Sequence, residues 1–266
     1  MSDGAKLEAA NLYIDLLKRC VSNSIYDDDM DMMKGENVVD ADTGRYVVVD
    51  PARATLEEKY LGLIWPTRAH TMIGMPRLDN LQMCIETVLR ERIAGDLIET
   101  GVWRGGAAIF MRGILKAHGV TDRLVWAADS FEGLPPPNFD KYPREAAVDF
   151  SKHEALAVSL EDVRANFARY GLLDDQVRFL KGWFRDTLPG APIGKLAVAR
   201  LDGDLYESTM DALTALYPKV SEGGYVIIDD YNSFESCNIA VIDFRRDQGI
   251  TAPLNLIPGA GAFWRK

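Results

Sequence analysis

The sequence predicts an α/β protein: a doubly wound, mainly parallel sheet with an antiparallel edge strand, preceded by a helical N-terminal extension. Three observations carry this. From about Arg77 onward, short apolar runs alternate with stretches of helical period, the pattern of repeated strand-helix units. A glycine-bearing turn, Gly101 to Gly106, joins the first of these runs to a helix. Near the C-terminus two apolar runs flank Gly259-Ala260-Gly261, a hairpin signal that puts an antiparallel strand at the sheet edge.

The elements follow in chain order. Ala5 to Val21 reads as a helix, with Leu12, Leu16 and Leu17 at helical spacing. The acidic stretch Tyr26-Asp27-Asp28-Asp29-Met30-Asp31, with the residues up to about Asp50, reads as a mobile loop. Leu56 to Ile64 predicts a short helix. These belong to an extension spanning residues 1–75, and residues 76–266 form the main domain. There Leu78, Leu81, Ile85 and Leu89 mark an amphipathic helix that Gly95 ends. Strands are expected at Asp96–Glu99, Leu124–Asp129, Val177–Leu180, Leu196–Leu201 and Tyr225–Asp229. Helices are expected at Ala107–His118, Leu160–Tyr170, Ser208–Tyr217 and Cys237–Gln248. Leu254–Ile257 and Ala262–Arg265 form the terminal hairpin. Pro135-Pro136-Pro137 opens a long polar connection over the active edge.

Composition narrows the partners. The net charge of −10 leaves no basic excess for a polyanion, so nucleic acid is excluded as a partner. Three cysteines far apart fit neither a disulfide framework nor a zinc site, and they fit a reducing cytoplasm. No apolar run approaches the ~18 residues of a membrane span.

Chemistry concentrates at strand ends. In an open α/β sheet ligands sit at the carboxyl ends of strands. Glu99 and Gly101 stand at the first such end, in a turn that lacks the dinucleotide pattern Gly-x-Gly-x-x-Gly. Asp129, followed by Ser130, ends the second strand, where a carboxylate accepts both hydroxyls of a ribose. An adenosine-type cofactor without a phosphate motif points to S-adenosylmethionine. Asp202 and Asp204 end the fourth strand, and Asp229 and Asp230 the fifth. Four converging carboxylates repel unless protonated or shared by a cation, and hard oxygen donors without His or Cys suit magnesium. Such an ion lowers the pKa of a substrate hydroxyl, and a base removes its proton. Asp204 is one candidate base and His153 another. His118 reads as a helix C-cap.

Long motifs now accumulate in one order. They are Ala69-His70-Thr71-Met72-Ile73-Gly74, Glu99-Thr100-Gly101-Val102-Trp103-Arg104-Gly105-Gly106, Ala128-Asp129-Ser130-Phe131, Gly182-Trp183-Phe184, Leu201-Asp202-Gly203-Asp204-Leu205-Tyr206 and Ile228-Asp229-Asp230-Tyr231. Together they resemble the macrocin O-methyltransferases over nearly the whole chain. The resemblance implies a class I methyltransferase fold, Rossmann-like, that uses S-adenosylmethionine and Mg2+ to methylate a hydroxyl of a glycosylated natural product in antibiotic biosynthesis. It implies a cytoplasmic homo-oligomer without membrane partners. By motif match, Met72, Ile73, Glu99, Gly101, Asp129, Ser130, Gly182 and Trp183 are cofactor contacts. Asp202, Asp229 and Asp230 are metal ligands, and Asp204 or the loop His153 is the base. His70 belongs to the cofactor-side motif. The first 75 residues are expected to act as a lid or to help an oligomer partner complete the acceptor pocket. Two other functions use the same residues: methylation of a phenolic, catechol-like acceptor, and non-catalytic binding of S-adenosylmethionine.

Overall fold

The computed structural model describes residues 3–26, 33–39, 46–139, 142 and 149–266. The first helix, α1 (Asp3–Val21), is followed by two strands, β1 (Met33–Val39) and β2 (Tyr46–Arg53), which pair antiparallel as a separate two-stranded sheet. This corrects the reading of the segment up to Asp50 as a loop. Val38-Val39 and Val47-Val48-Val49 are β-branched pairs and triples that favour strands. The acidic residues Asp27 to Asp31 lie outside the described residues. Helix α2 (Leu56–Leu61) starts at a capping box, in which Thr55 and Glu58 each satisfy the other's backbone N–H.

The main domain then runs α3 (Met75–Arg90), β3 (Asp96–Thr100), α4 (Gly106–Ala117), β4 (Val125–Asp129), α5 (Leu160–Arg169), β5 (Val177–Lys181), α6 (Phe184–Thr187), β6 (Leu196–Leu201), α7 (Tyr206–Leu216), β7 (Val220–Ile228), α8 (Glu235–Asp247), β8 (Asn255–Leu256) and β9 (Ala262–Arg265). The strand order is β5-β4-β3-β6-β7-β9-β8. The first five are parallel, and β9 joins β7 antiparallel as the hairpin signal predicts. From β3 the chain winds outward to β5, then returns to β6 on the other side. The order therefore reverses between β3 and β6, and a crevice opens at their carboxyl ends. Among the described residues, no helix is long and apolar enough to cross a membrane.

The strands alternate faces with period two. Leu97, Val125, Ala127, Tyr225 and Ile227 face a core shared with α1, α3, α4 and α5. Ile98, Trp126, Ala128, Val226 and Ile228 face a second core shared with α7, α8 and Trp264. Two boundaries and one helix face differ from expectation. Helix α3 ends at Arg90, with Arg92 taking the left-handed conformation (φ 56°), so Gly95 does not terminate it. Strand β7 begins five residues before Tyr225, because its Gly223-Gly224 pair is absorbed as a register shift against β6 rather than making a turn. In α1 the buried face is Ile14, Leu17 and Val21, while Leu12 and Leu16 are 67% and 53% exposed. The helix packs on α4 through Gly113, where a Cβ would collide with Leu17. Truncating Leu17 to Ala there costs about 2–5 kcal/mol.

Candidate functional site

The crevice at the switch point is a cavity of about 440 Å³, within the range that holds a small ligand. Its wall on one side is the end of β4. Asp129 there is held by backbone amides. Val102 N–H donates to Oδ2 at 2.7 Å, Trp103 N–H to the same oxygen at 3.4 Å, and Phe131 N–H to Oδ1 at 2.7 Å. Burial pushes its pKa up, and these donors pull it back. Ser130 Oγ donates to the Gly133 carbonyl at 2.7 Å and so closes the turn after β4. Met72, Ile73, Glu99, Gly101, Asp129, Ser130 and Trp183 all line this cavity. Gly182 does not line it. Its N–H donates to the Asp129 carbonyl at 2.9 Å, and its φ of 140° sets up the turn that places Trp183.

Gly101 serves the fold as well as the cavity. It has φ 79°, and a Cβ on it would collide with the Asp202 carbonyl. The glycine thus lets the ends of β3 and β6 approach each other. Outside glycine, Trp103, Phe131 and Asp204 take positive φ, of 47°, 56° and 53°. All three sit just past a carboxyl end of the sheet. Such conformations cost energy and concentrate at functional sites.

The opposite half holds charge. Among the described residues, Asp202, Asp204 and Asp230 place carboxylate oxygens within 4.8 Å of one another. Desolvation and mutual repulsion push Asp202 and Asp230 well above the ordinary carboxylate range. Desolvation, then Asp202, raises Asp204 to about 7. Asp229 does not join this group. Its carboxylate lies 2.6 Å from Arg77 Nη1 and 2.5 Å from Arg200 Nη2. The backbone explains the division, since adjacent residues at a strand end send their side chains opposite ways.

Arg200 sits in an otherwise apolar strand and is 2% exposed. It donates to Glu99 Oε1 at 2.6 Å and to Asp202 Oδ2 at 3.1 Å, and the surrounding carboxylates raise its pKa. Glu99 is 2% exposed, and burial drives its pKa up to about 8 despite Arg200. Arg200 and Arg77 escaped the sequence reading. One signal existed for Arg200: a lone cation inside Leu-Ala-Val-Ala-Arg-Leu must find buried partners.

His153 is 8% exposed and lies behind the cavity wall. Its ring meets Trp65 edge-on at 5.0 Å and Phe150 at 5.7 Å, and it is these two that line the cavity. Burial lowers its pKa. Phe150 in turn packs on Phe234 at 5.3 Å, which completes an aromatic wall the sequence did not suggest. His70 has a structural place. Its Nδ1 is 2.7 Å from Tyr170 Oη, its N–H donates to the Val21 carbonyl, and its own carbonyl accepts from Gly106. His118 caps α4, with Nε2 3.2 Å from Glu86.

Comparison with known proteins agrees with this arrangement. The chain matches the family described as Macrocin-O-methyltransferase (TylF) over residues 10–266. It is 54% identical over 259 residues to 8-demethyl-8-(2,3-dimethoxy-alpha-L-rhamnosyl)-tetracenomycin-C 4'-O-methyltransferase of Streptomyces olivaceus, covering 97% of this chain and 94% of that one. It is 50% identical to Mycinamicin III 3''-O-methyltransferase of Micromonospora griseorubida, over 96% of both chains. The solved structure of the O-methyltransferase NovP superposes with a TM-score of 0.84 at 48% identity, covering 97% of this chain and 99% of that one. The two-sided crevice, the sheet order and these matches agree: the chain belongs to the macrocin O-methyltransferase family.

Proposed function

We propose that the protein transfers the methyl group of S-adenosylmethionine to a sugar hydroxyl of a glycosylated natural product, with a divalent cation, Mg2+, held at the acidic strand ends. The observation that carries this reading is the pairing of two unlike halves in one cavity. Asp129 offers a carboxylate already oriented by amides, and Asp202, Asp204 and Asp230 offer a desolvated group of hard oxygens. The names of the relatives supply the substrate class, since the tetracenomycin relative acts on a rhamnosyl compound.

The donor set fits a hard cation. Three carboxylates this close, Asp230 buried and Asp202 and Asp204 partly so, are stable only when protonated or neutralised, and among the described residues no histidine or cysteine joins the group. When bound, S-adenosylmethionine supplies an electrophilic methyl sulfonium, and Mg2+ supplies a Lewis acid for the acceptor hydroxyl. The chain does the rest. Asp129 accepts from the ribose hydroxyls. Met72, Ile73 and Trp183 pack around the cofactor. Asp202 and Asp230 hold the cation, and Asp229 backs them through Arg200. Asp204, at the end of β6 beside them, takes the acceptor's proton. Trp65, Phe150 and Phe234 shield the reacting oxygen from water. Leu63 to Trp65, from the N-terminal extension, supply part of the acceptor side of the site.

The test is methyl transfer from labelled cofactor to a panel of glycosylated and phenolic acceptors, with and without chelator. Transfer to a glycoside that stops with chelator and returns with Mg2+ supports the reading. Transfer to phenols alone moves the acceptor class, and full turnover in chelator removes the metal.

A further inference from the structure

Arg77 stands where helix physics disfavours it. It lies in the first turn of α3, which holds no acidic residue and whose cap, Gly74, makes no side-chain bond. A cation there opposes the helix dipole. Its side chain is also 6% exposed, and a buried guanidinium needs partners. Those partners come from separate parts of the chain. Nη1 donates to Asp229 Oδ2 at 2.6 Å, at the end of β7, and Nη2 donates to the Gly62 carbonyl at 2.9 Å, at the end of α2.

The backbone around it has no spare room. A Cβ on Gly62 would lie 2.6 Å from Arg77 Nη2 and would collide with the Gly74 nitrogen. A Cβ on Gly74 would collide with the Tyr60 carbonyl, and one on Gly259, in the β8–β9 turn, with the Leu61 carbonyl. Gly74 and Gly259 thus close on the Tyr60–Gly62 backbone, and Gly62 itself closes on the Arg77 guanidinium. Gly62 and Gly74 are the two ends of an Ω-like loop, 63–73, whose neck is pinched shut. The later limb of this loop has its own anchors: Arg104 donates to the Ala69 carbonyl at 2.9 Å, and His70 N–H to the Val21 carbonyl at 2.8 Å. The earlier limb, Leu63 to Trp65, follows directly on the neck and lines the cavity; Leu63 N–H donates to the Glu58 carbonyl at 2.9 Å, and the Trp65 ring meets His153 at 5.0 Å.

We infer that Arg77 is a positioning residue, which ties the neck of the 63–73 loop to Asp229 and so sets the Leu63–Trp65 wall against the acidic floor of the site. The planar fork sends separate nitrogens to the carboxylate and the carbonyl in a fixed geometry, which the single ammonium of lysine does not reproduce. The consequence for turnover rests on the methyl-transfer reading, and the consequence for the loop does not.

The experiment therefore has two arms on Arg77→Lys. Hydrogen exchange is measured first, on ligand-free protein. Peptides spanning residues 56–65 should exchange about tenfold faster than in wild type, with those of β4 unchanged. Steady-state kinetics with a glycoside that wild type methylates come second. The acceptor KM should rise about tenfold, by more than kcat falls, because a misplaced wall loses uniform binding. A residue that only supports folding would lower the active fraction, hence kcat, and leave KM alone. If exchange at 56–65 is unchanged, or if KM is unchanged whatever kcat does, the inference is overturned. If Arg77→Lys does not fold, Arg77→Gln is read by the same exchange criterion. If wild type methylates no acceptor, the proposed function fails, and the exchange arm alone decides on Arg77.

Discussion

The two halves of the cavity hold their carboxylates in different ways, although burial raises the proton affinity of both. At the end of β4, Asp129 receives three backbone N–H groups, so its charge is spread over fixed donors before any ligand arrives. At the ends of β6 and β7, Asp202, Asp204 and Asp230 face mainly one another, and their proton affinities rise. The same residue type at equivalent strand ends thus does two things. In the proposed function, the carboxylate with fixed donors recognises neutral hydroxyls, and the group without them takes a cation or a proton. Asp229 marks the boundary: it sits beside Asp230 in sequence, yet two arginines neutralise it.

The largest effects should come from breaking the acidic half. Asp230→Ala or Asp202→Ala should lower methyl transfer on the order of a thousandfold, because the Lewis acid loses its seat. Calorimetry with S-adenosylmethionine should still show binding. Mutation of the other half should do the reverse. Asp129→Ala should weaken S-adenosylmethionine about 10- to 100-fold, the worth of hydrogen bonds to a charged acceptor. Its titration with Mg2+ should match wild type. If either variant damages both bindings equally, the halves are not separate devices.

How much of this was legible follows the same division. The sheet, its closing hairpin and the strand-end carboxylates were readable because each is local: a period of two, a glycine turn, an acid after an apolar run. Asp204's part in the carboxylate group was also visible as spacing. What stayed hidden depends on partners far apart in sequence. Arg200 meets Glu99 across 101 positions, and Arg77 meets Asp229 across 152. Nothing beside either residue announces those pairs. The aromatic wall of Trp65, Phe150 and Phe234 comes from three segments for the same reason. The face of α1 was misjudged because three leucines outweighed Ile14 and Val21 in the pattern. Packing against Gly113 decided otherwise.

A smaller effect should appear in stability. Glu99 at about 8 and Asp204 at about 7 both lie above their ordinary values. Between the ordinary and the raised value the folded state binds more protons than the unfolded one. Stability therefore falls as pH rises through that window. Metal-free protein should melt about 5 °C lower at pH 8 than at pH 5. Mg2+ binds the deprotonated carboxylates, so it should raise Tm more at pH 8 than at pH 5. Asp204→Asn should flatten the slope. A melting temperature that climbs from pH 5 to pH 8 in chelator would contradict the charge assigned to this half.

The smallest effect should separate the two candidate bases. Asp204 lines the cavity, lies with Asp202 and Asp230, and has a pKa near the operating pH. His153 lies behind Trp65 and Phe150, and desolvation lowers its pKa, so its ring stays neutral there. A ring in that place supports the aromatic wall by shape, and shape survives replacement by another ring. His153→Phe should therefore keep kcat within about threefold of wild type, whereas loss of a general base costs about 10²- to 10⁴-fold. Asp204→Asn should suffer the larger loss, and the acidic limb of the pH–rate profile should disappear with it. His153→Ala, which empties the space behind Trp65, should raise the acceptor KM more than it lowers kcat. If His153→Phe instead falls as far as Asp204→Asn, the proton goes to the histidine. The loop carrying it must then open toward the cavity during turnover, and the acidic half would serve the cation alone.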